Sequence, residues 1–340
     1  MAEYNFTQAV AATTWTITHN MDAAGIMIDV IIDNGGTLEK AIPLTTVETD
    51  DNTVTITFPT VQSGFARLIE GGEQVTVTVS WSIGDINTAT YDSKSYDVSI
   101  YNNFDGMYMK SDGLTFFLVS VSDNKIYQHS MGTAWDISTA TDDGEVLNTT
   151  TEGSNTRGID FKPDGLKMYI LKMNPGNAAE RKIEQYSLSS AWDVSTATPD
   201  SVTYLITESA SMTNVRFSAD GDKMYLPDSS QDSVRQYSLS SAWDVSTASY
   251  DFQQNVGGIG GTPRDTFFTP TGDQMFLLDN DAPPKVWLYD LSTAFTVTSA
   301  TLNSTFEFTF SDFPVVLGFS DDGSKMFIGD SDYNIYQYTT

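Results

Sequence analysis

The sequence predicts an all-β chain: a small N-terminal β-sandwich followed by a five-bladed β-propeller, its ring closed by a strand from its own N-terminal side. Three observations predict it. A unit of roughly fifty residues recurs five times, each unit carries period-two hydropathy, and the last unit stops one strand short.

The recurrence is read from two signatures. The first is Ala134-Trp135-Asp136-Ile137-Ser138-Thr139-Ala140-Thr141, repeated as Ala191-Trp192-Asp193-Val194-Ser195-Thr196-Ala197-Thr198 and Ala242-Trp243-Asp244-Val245-Ser246-Thr247-Ala248-Ser249. A weaker copy runs from Ala294-Phe295 to Ala300-Thr301. The second signature is a hairpin turn at Ser111-Asp112-Gly113, Pro163-Asp164-Gly165, Ala219-Asp220-Gly221, Pro270-Thr271-Gly272 and Asp321-Asp322-Gly323. The residues before these glycines are spaced by 52 (112 to 164), 56 (164 to 220), 51 (220 to 271) and 51 (271 to 322), a period that suits propeller blades.

Within one unit, Val215 and Phe217 alternate with Asn214, Arg216 and Ser218, and Asp220-Gly221 turns the chain into Lys223-Met224-Tyr225-Leu226. Alternation bracketing Asp-Gly is a strong hairpin signal. Ser233 to Leu239 forms a third strand, and each Trp-Asp-Val-Ser-Thr-Ala segment leads into a fourth, as near Thr203-Tyr204-Leu205-Ile206. Four antiparallel strands make a blade. The fifth unit ends at its third strand, Asn334 to Thr340. Upstream of the first unit, Asp85-Ile86-Asn87-Thr88-Ala89-Thr90 copies the motif and Ser95 to Ser99 can supply the absent strand, removing the exposed edges of the ring.

The propeller is assigned to 84–340 and the first domain to 1–83. Strand-like runs there are Trp15 to Thr18, Ile26 to Ile31, Thr53 to Phe58 and Gln74 to Val79, with turns expected at Asp50-Asp51-Asn52 and Ser63-Gly64. No segment has a helical period, so a β-sandwich is expected.

Composition bounds the partners. With 17 Lys and Arg against 45 Asp and Glu, the formal charge of -28 repels phosphate backbones, so neither nucleic acid nor an anionic membrane is an expected partner. Cysteine is absent, which excludes disulfides, thiol nucleophiles and thiolate metal sites. No leader peptide or membrane-spanning segment is expected, since Asp29 interrupts the longest apolar run.

Catalysis in such a ring would use acids that break the repeat and point into the central funnel. Five residues before the turn glycines stand Tyr108, Asp160, Arg216, Phe267 and Gly318; two residues earlier stand Gly106, Gly158, Asn214, Asp265 and Val316. Asp160 and Asp265, with Arg216 as partner, are therefore the candidate funnel acids of a glycan-active enzyme. Diverged inner strands also place acids there without function, and this is the preferred reading: no catalytic residue, cofactor or metal is expected. His19 and His129 are the only histidines and cannot build a triad or a two-histidine metal site within the ring. Gly257-Gly258-Ile259-Gly260-Gly261 lacks the lysine and helix of a phosphate loop. Trp135, Trp192 and Trp243 repeat with the blade, which points to packing and not to a ligand-stacking ring.

Trp15-Thr16-Ile17-Thr18-His19-Asn20, Ile42-Pro43, Asn52 to Phe58 and Ser63-Gly64-Phe65-Ala66 together resemble a small β-domain of tail-fibre and other appendage proteins of tailed phages. Met21-Asp22 stands where that pattern has Leu-Gly. The Ala-Trp-Asp-Val-Ser-Thr-Ala repeat is similar to repeats in structural proteins of marine phages. This resemblance implies a non-enzymatic virion protein, tail-associated, docking on other virion proteins through its N-terminal domain and presenting the propeller to a host-surface glycan or protein. A homo-oligomer on the particle is implied as well. Capsid decoration or head-fibre protein is the alternative within the same class.

Overall fold

The computed structural model describes residues 3–18, 27–34, 37–41, 45–50, 53–69, 86–101, 103–149, 155–174, 176–256, 261–308 and 313–340, with side chains from residue 86 onward. The chain divides into two compact units, Met1–Ser80 and Trp81–Thr340.

In the first unit the strands are Glu3–Thr18, Met27–Asn34, Thr37–Ala41, Thr45–Asp50 and Thr53–Ile69, joined in one sheet. Thr53–Ile69 is central: it pairs with Glu3–Thr18 and, on its other side, with Met27–Asn34 and Thr45–Asp50. The turn expected at Ser63-Gly64 is not there. Gly64 lies inside the central strand opposite both Gln8 and Ile32, and the irregularity shows instead as a register break between Gln8 and Ala12 of the neighbour. The strand expected at 74–79, the turn at 51–52, His19 and Ile42-Pro43 lie outside the described residues.

The second unit contains five four-stranded antiparallel sheets. Blade 2 is representative, with strands Thr156–Phe161, Lys167–Met173, Arg181–Leu188 and Ala197–Leu205. Blade 1 occupies residues 104–148, blade 3 residues 216–255 and blade 4 residues 263–307. Blade 5 joins Pro314–Phe319, Lys325–Asp330 and Asn334–Thr339 to Thr90–Asp97, with Asp97 opposite Asn334 and Thr90 opposite Thr339. The closing strand thus begins earlier than the 95–99 expected from sequence. In the other blades the fourth strand starts at the motif alanine (Ala140, Ala197, Ala248 and Ala300); here it starts one residue later, at Thr90 behind Ala89.

Five apolar cores fill the five gaps between neighbouring blades, and each contains one Ile or Val of the repeated motif: Ile86, Ile137, Val194, Val245 and Val297. Burial between sheets supplies the main driving force here. Ile86 takes its place between blades 4 and 5, among Phe276, Leu288, Leu317 and Tyr338, so the upstream copy serves the last blade in packing as well as in pairing.

The motif is a turn of 3-10 helix. Asp136, Asp193 and Asp244 cap it, each accepting a hydrogen bond from the backbone amide of the following Ser138, Ser195 or Ser246. Thr139, Thr196 and Thr247 donate back to the carbonyl of the same aspartate. In the weak copy Thr296 makes no side-chain cap.

The tryptophans lie half-buried over the hairpin glycines. Trp135, Trp192 and Trp243 adopt positive φ of 58°, 65° and 65°, and their amides donate to the carbonyls of Gly113, Gly165 and Gly221 at 2.9, 3.0 and 3.0 Å. A Cβ on Gly221, whose φ is +76°, would stand 2.1 Å from the Trp243 ring. Glycine is thus required twice over, by backbone conformation and by the indole against it.

Candidate functional site

The first strand of each blade lines the central channel. These strands do not show the polar-out alternation of a half-exposed sheet: Asn214, Val215, Arg216, Phe217 and Ser218 are all buried. The Arg216 side chain faces the axis, where neighbours from other blades meet it, whereas the Ser218 hydroxyl donates to Asp220 in its own hairpin.

Arg216 occupies that axis. From blade 3 its guanidinium donates to the carbonyls of Met107 (3.0 Å), Ile159 (3.0 Å), Thr266 (3.0 Å) and Leu317 (3.4 Å), one on each of the other four blades. It also pairs with Asp265 at 2.7 Å through Nη2 and 3.2 Å through Nε. Carbonyls at the middle of an inner strand have few other partners on the channel side, and one planar, five-donor cation can satisfy several at once.

The candidate acids Asp160, Asp265 and their partner Arg216 are therefore brought together, but into a plug and not an open funnel. Asp265 accepts from the amides of Thr266 (2.8 Å) and Leu317 (3.0 Å) besides Arg216. Asp160 accepts from the amides of Phe161 (2.8 Å) and Phe217 (2.7 Å), the second across a blade boundary. Burial pushes the Asp160 carboxyl up to about 6, against the opposing pull of Arg216 and the two amides. Burial likewise raises Asp265, opposed first by Arg216.

Toward the turn hairpins the channel opens into a pocket of about 110 Å³, with Asp160 and Arg216 lining it together with Tyr108, Phe267 and Phe319. Gly318 belongs to the same wall, so the five residues aligned five positions before the turn glycines do form one layer. Of the earlier layer, Gly106 and Gly158 allow close approach of adjacent inner strands: a Cβ on Gly106 would meet the Arg157 carbonyl at 2.3 Å, and one on Gly158 would meet Asn214 at 2.4 Å.

Toward the other end lies a second ionic layer that sequence reasoning missed. Asp105 of blade 1 accepts from Arg157 of blade 2 (2.8 Å) and from Arg264 of blade 4, which reaches across the channel. Each of these three residues stands at a register break of its inner strand, between Phe104 and Gly106, Thr156 and Gly158, and Pro263 and Asp265. A bulge re-aims the side chain it carries, and alternation read from sequence cannot anticipate it.

Sequence reasoning also missed a latch between blades. Gln128, Gln185, Gln236 and Gln337 accept hydrogen bonds from the amides of Val194, Val245, Val297 and Ile137, the motif residues of the next blade around the ring, at 3.2, 3.5, 3.1 and 2.9 Å. Three of them donate to a fourth-strand aspartate of their own blade: Gln185 to Asp200, Gln236 to Asp251, Gln337 to Asp92. Blade 4 has Leu288 at this position, and Ser304 accepts from the Ile86 amide in its stead at 3.3 Å. The signal is present as Tyr-Gln or Gln-Tyr in third strands, but its partner lies 60 to 66 residues away, and 200 residues away for Gln337.

His129 is fully buried in blade 1, its Nε2 2.9 Å from the Tyr101 hydroxyl, which donates to Asp142 at 2.7 Å. Burial holds its pKa down at about 4. It is a core residue of blade 1, away from the channel. No group of three or more His, Asp or Glu side chains suited to a metal ion occurs among the described residues.

No protein-family model matches the chain, and no curated protein matches it. Solved structures similar to it include a functionally unknown protein from Desulfotomaculum acetoxidans, at 16% identity and a TM-score of 0.39 over 67% of this chain and 62% of the other. A proposed 6-phosphogluconolactonase from Bacteroides uniformis is similar at 12% identity and a TM-score of 0.44 over 68% and 65%. Sqt1 from Chaetomium thermophilum is similar at 11% identity and a TM-score of 0.41 over 70% and 60%. The matched part spans less than two thirds of each of these chains, and at such scores the likeness carries no argument about function. The class that the fold and the channel define is a five-bladed β-propeller with an arginine-plugged channel.

Proposed function

We propose that the chain is a non-enzymatic component of a tailed-phage virion, tail-associated and of fibre or adaptor type. In this reading the N-terminal domain of residues 1–83 is a β-sandwich that docks on other virion proteins. The propeller of residues 84–340 is then presented as an interaction module for a host-surface glycan or protein.

The observation that supports binding over catalysis is the state of the two acids. A glycoside hydrolase needs one carboxyl free to protonate the leaving group and a second facing it across the scissile bond. Both oxygens of Asp160 hold backbone amides, both oxygens of Asp265 hold Arg216, and the guanidinium fills the axis where a sugar ring would have to sit. The virion setting is supported by the Trp15 to Asn20 pattern and the Ala-Trp-Asp-Val-Ser-Thr-Ala repeats.

Gold-labelled antibody against the propeller should decorate the tail region of intact particles. Label on the head would move the protein to the decoration or head-fibre class, and particles free of the protein would contradict the reading. Incubation with host polysaccharide should release no reducing sugar. Release that disappears in an Asp160→Asn, Asp265→Asn variant would establish an enzyme.

A further inference from the structure

The pocket at the hairpin end of the channel has a composition that the plug alone does not require. We propose that it binds a small organic cation of the quaternary ammonium class, held by the rings of Tyr108, Phe267 and Phe319 above the Asp160 carboxylate. The inference rests on the reading of the propeller as a binding module and deepens it by naming a ligand class.

Five observations carry it. The pocket has room for about 110 Å³, enough for a trimethylammonium group. Its walls are aromatic, with Phe267 and Phe319 at a centroid separation of 5.0 Å and inclined by 47°, and the faces of such rings attract cations that have shed water. Tyr108 and Phe267 are each only half-buried, so the pocket opens to solvent.

Its floor carries net negative charge. Arg216 pairs with Asp265 and bonds backbone carbonyls of the other blades, so the two acids Asp160 and Asp265 outnumber the one guanidinium among them. A chain of formal charge -28 also draws cations toward it. Finally, each Asp160 oxygen already accepts an amide, and the aromatic walls offer few acceptors. A cation with N–H donors would lose hydrogen bonds to water on entry, whereas one whose charge is spread over methyl groups has none to lose. The site therefore selects for the methylated form.

The test uses the full chain and a matched pair of probes, choline and its neutral carbon isostere 3,3-dimethylbutan-1-ol, titrated by NMR at pH 8 and pH 5. Choline should bind at least ten-fold more tightly than the isostere at pH 8. Its affinity should fall about ten-fold at pH 5, where a carboxyl of pKa about 6 is largely protonated. Phe267→Leu, at a half-buried wall position, should weaken choline at least five-fold while the chain still unfolds cooperatively. Equal or tighter binding of the isostere would show an apolar pocket and overturn the proposal. So would absence of choline binding at 50 mM, or affinity indifferent to pH. None of these results bears on antibody labelling of particles, so a failed ligand assignment and a failed virion assignment are told apart.

Discussion

Arg216 is the residue at which all five blades meet, and its energetics follow from its burial. A buried ion pair gains little over apolar packing, but removing one partner leaves an uncompensated charge. Arg216→Met should therefore destabilise the ring by about 3–5 kcal/mol, and adding Asp265→Leu should recover part of that loss. Urea unfolding of the four members of this cycle measures it; strictly additive losses would mean that the pair is not coupled.

His129 gives a second prediction at this scale. Its folded pKa of about 4 lies below the ordinary 6.5, so the unfolded chain takes up the proton first. The stability it contributes is complete above 6.5 and is lost as pH falls toward 4, by roughly 3 kcal/mol. Asp160, raised to about 6, acts in the opposite sense: its contribution is present below the unfolded value of 3.8 and lost as pH rises through 6. The His129 effect is isolated by comparing the parent with His129→Phe in urea unfolding from pH 7 to pH 4; the parent should lose the greater stability. Asp160, Asp265 and Arg216 could be picked out in the sequence because they break a repeat. Asp105, Arg157 and Arg264 could not, because the bulges that aim them leave no mark on alternation.

At the scale of the element, each letter of the repeated motif has an assigned task. Aspartate caps, valine or isoleucine fills a gap between blades, serine and threonine tie the turn, and tryptophan covers the hairpin glycine. The recurrence was legible at once, and so was the packing role of tryptophan. The glutamine latch was not, since it joins a third strand to the turn of the following blade. Gly221→Ala should cost about 2–3 kcal/mol, from unfavourable φ and from collision with Trp243. Adding Trp243→Ala should remove the collision term, so the double variant should be more stable than the sum of the single losses predicts, read from thermal unfolding.

At the scale of the molecule, the sealed channel and the reading as a self-contained binding module both require a closed ring. Closure was legible because the last unit lacks a strand and an orphan motif copy precedes the first. The start of the closing strand at Thr90 is not legible, since fourth strands open at the motif alanine or one residue behind it and the sequence alone marks no boundary there. Closure in propellers removes two sheet edges and links the chain ends, so stability should be shared around the ring. The absence of cysteine makes it directly testable. Asp97 and Asn334 face each other across the closing pair, next to the hydrogen bond from the Val98 amide to the Tyr333 carbonyl at 2.8 Å. The measurement is disulfide formation in an Asp97→Cys, Asn334→Cys variant under mild oxidation, followed by thermal unfolding. A closed ring predicts near-complete intramolecular cross-linking and a higher Tm that reverts on reduction; thiols that stay free in the folded protein, or that link only between molecules, would contradict it.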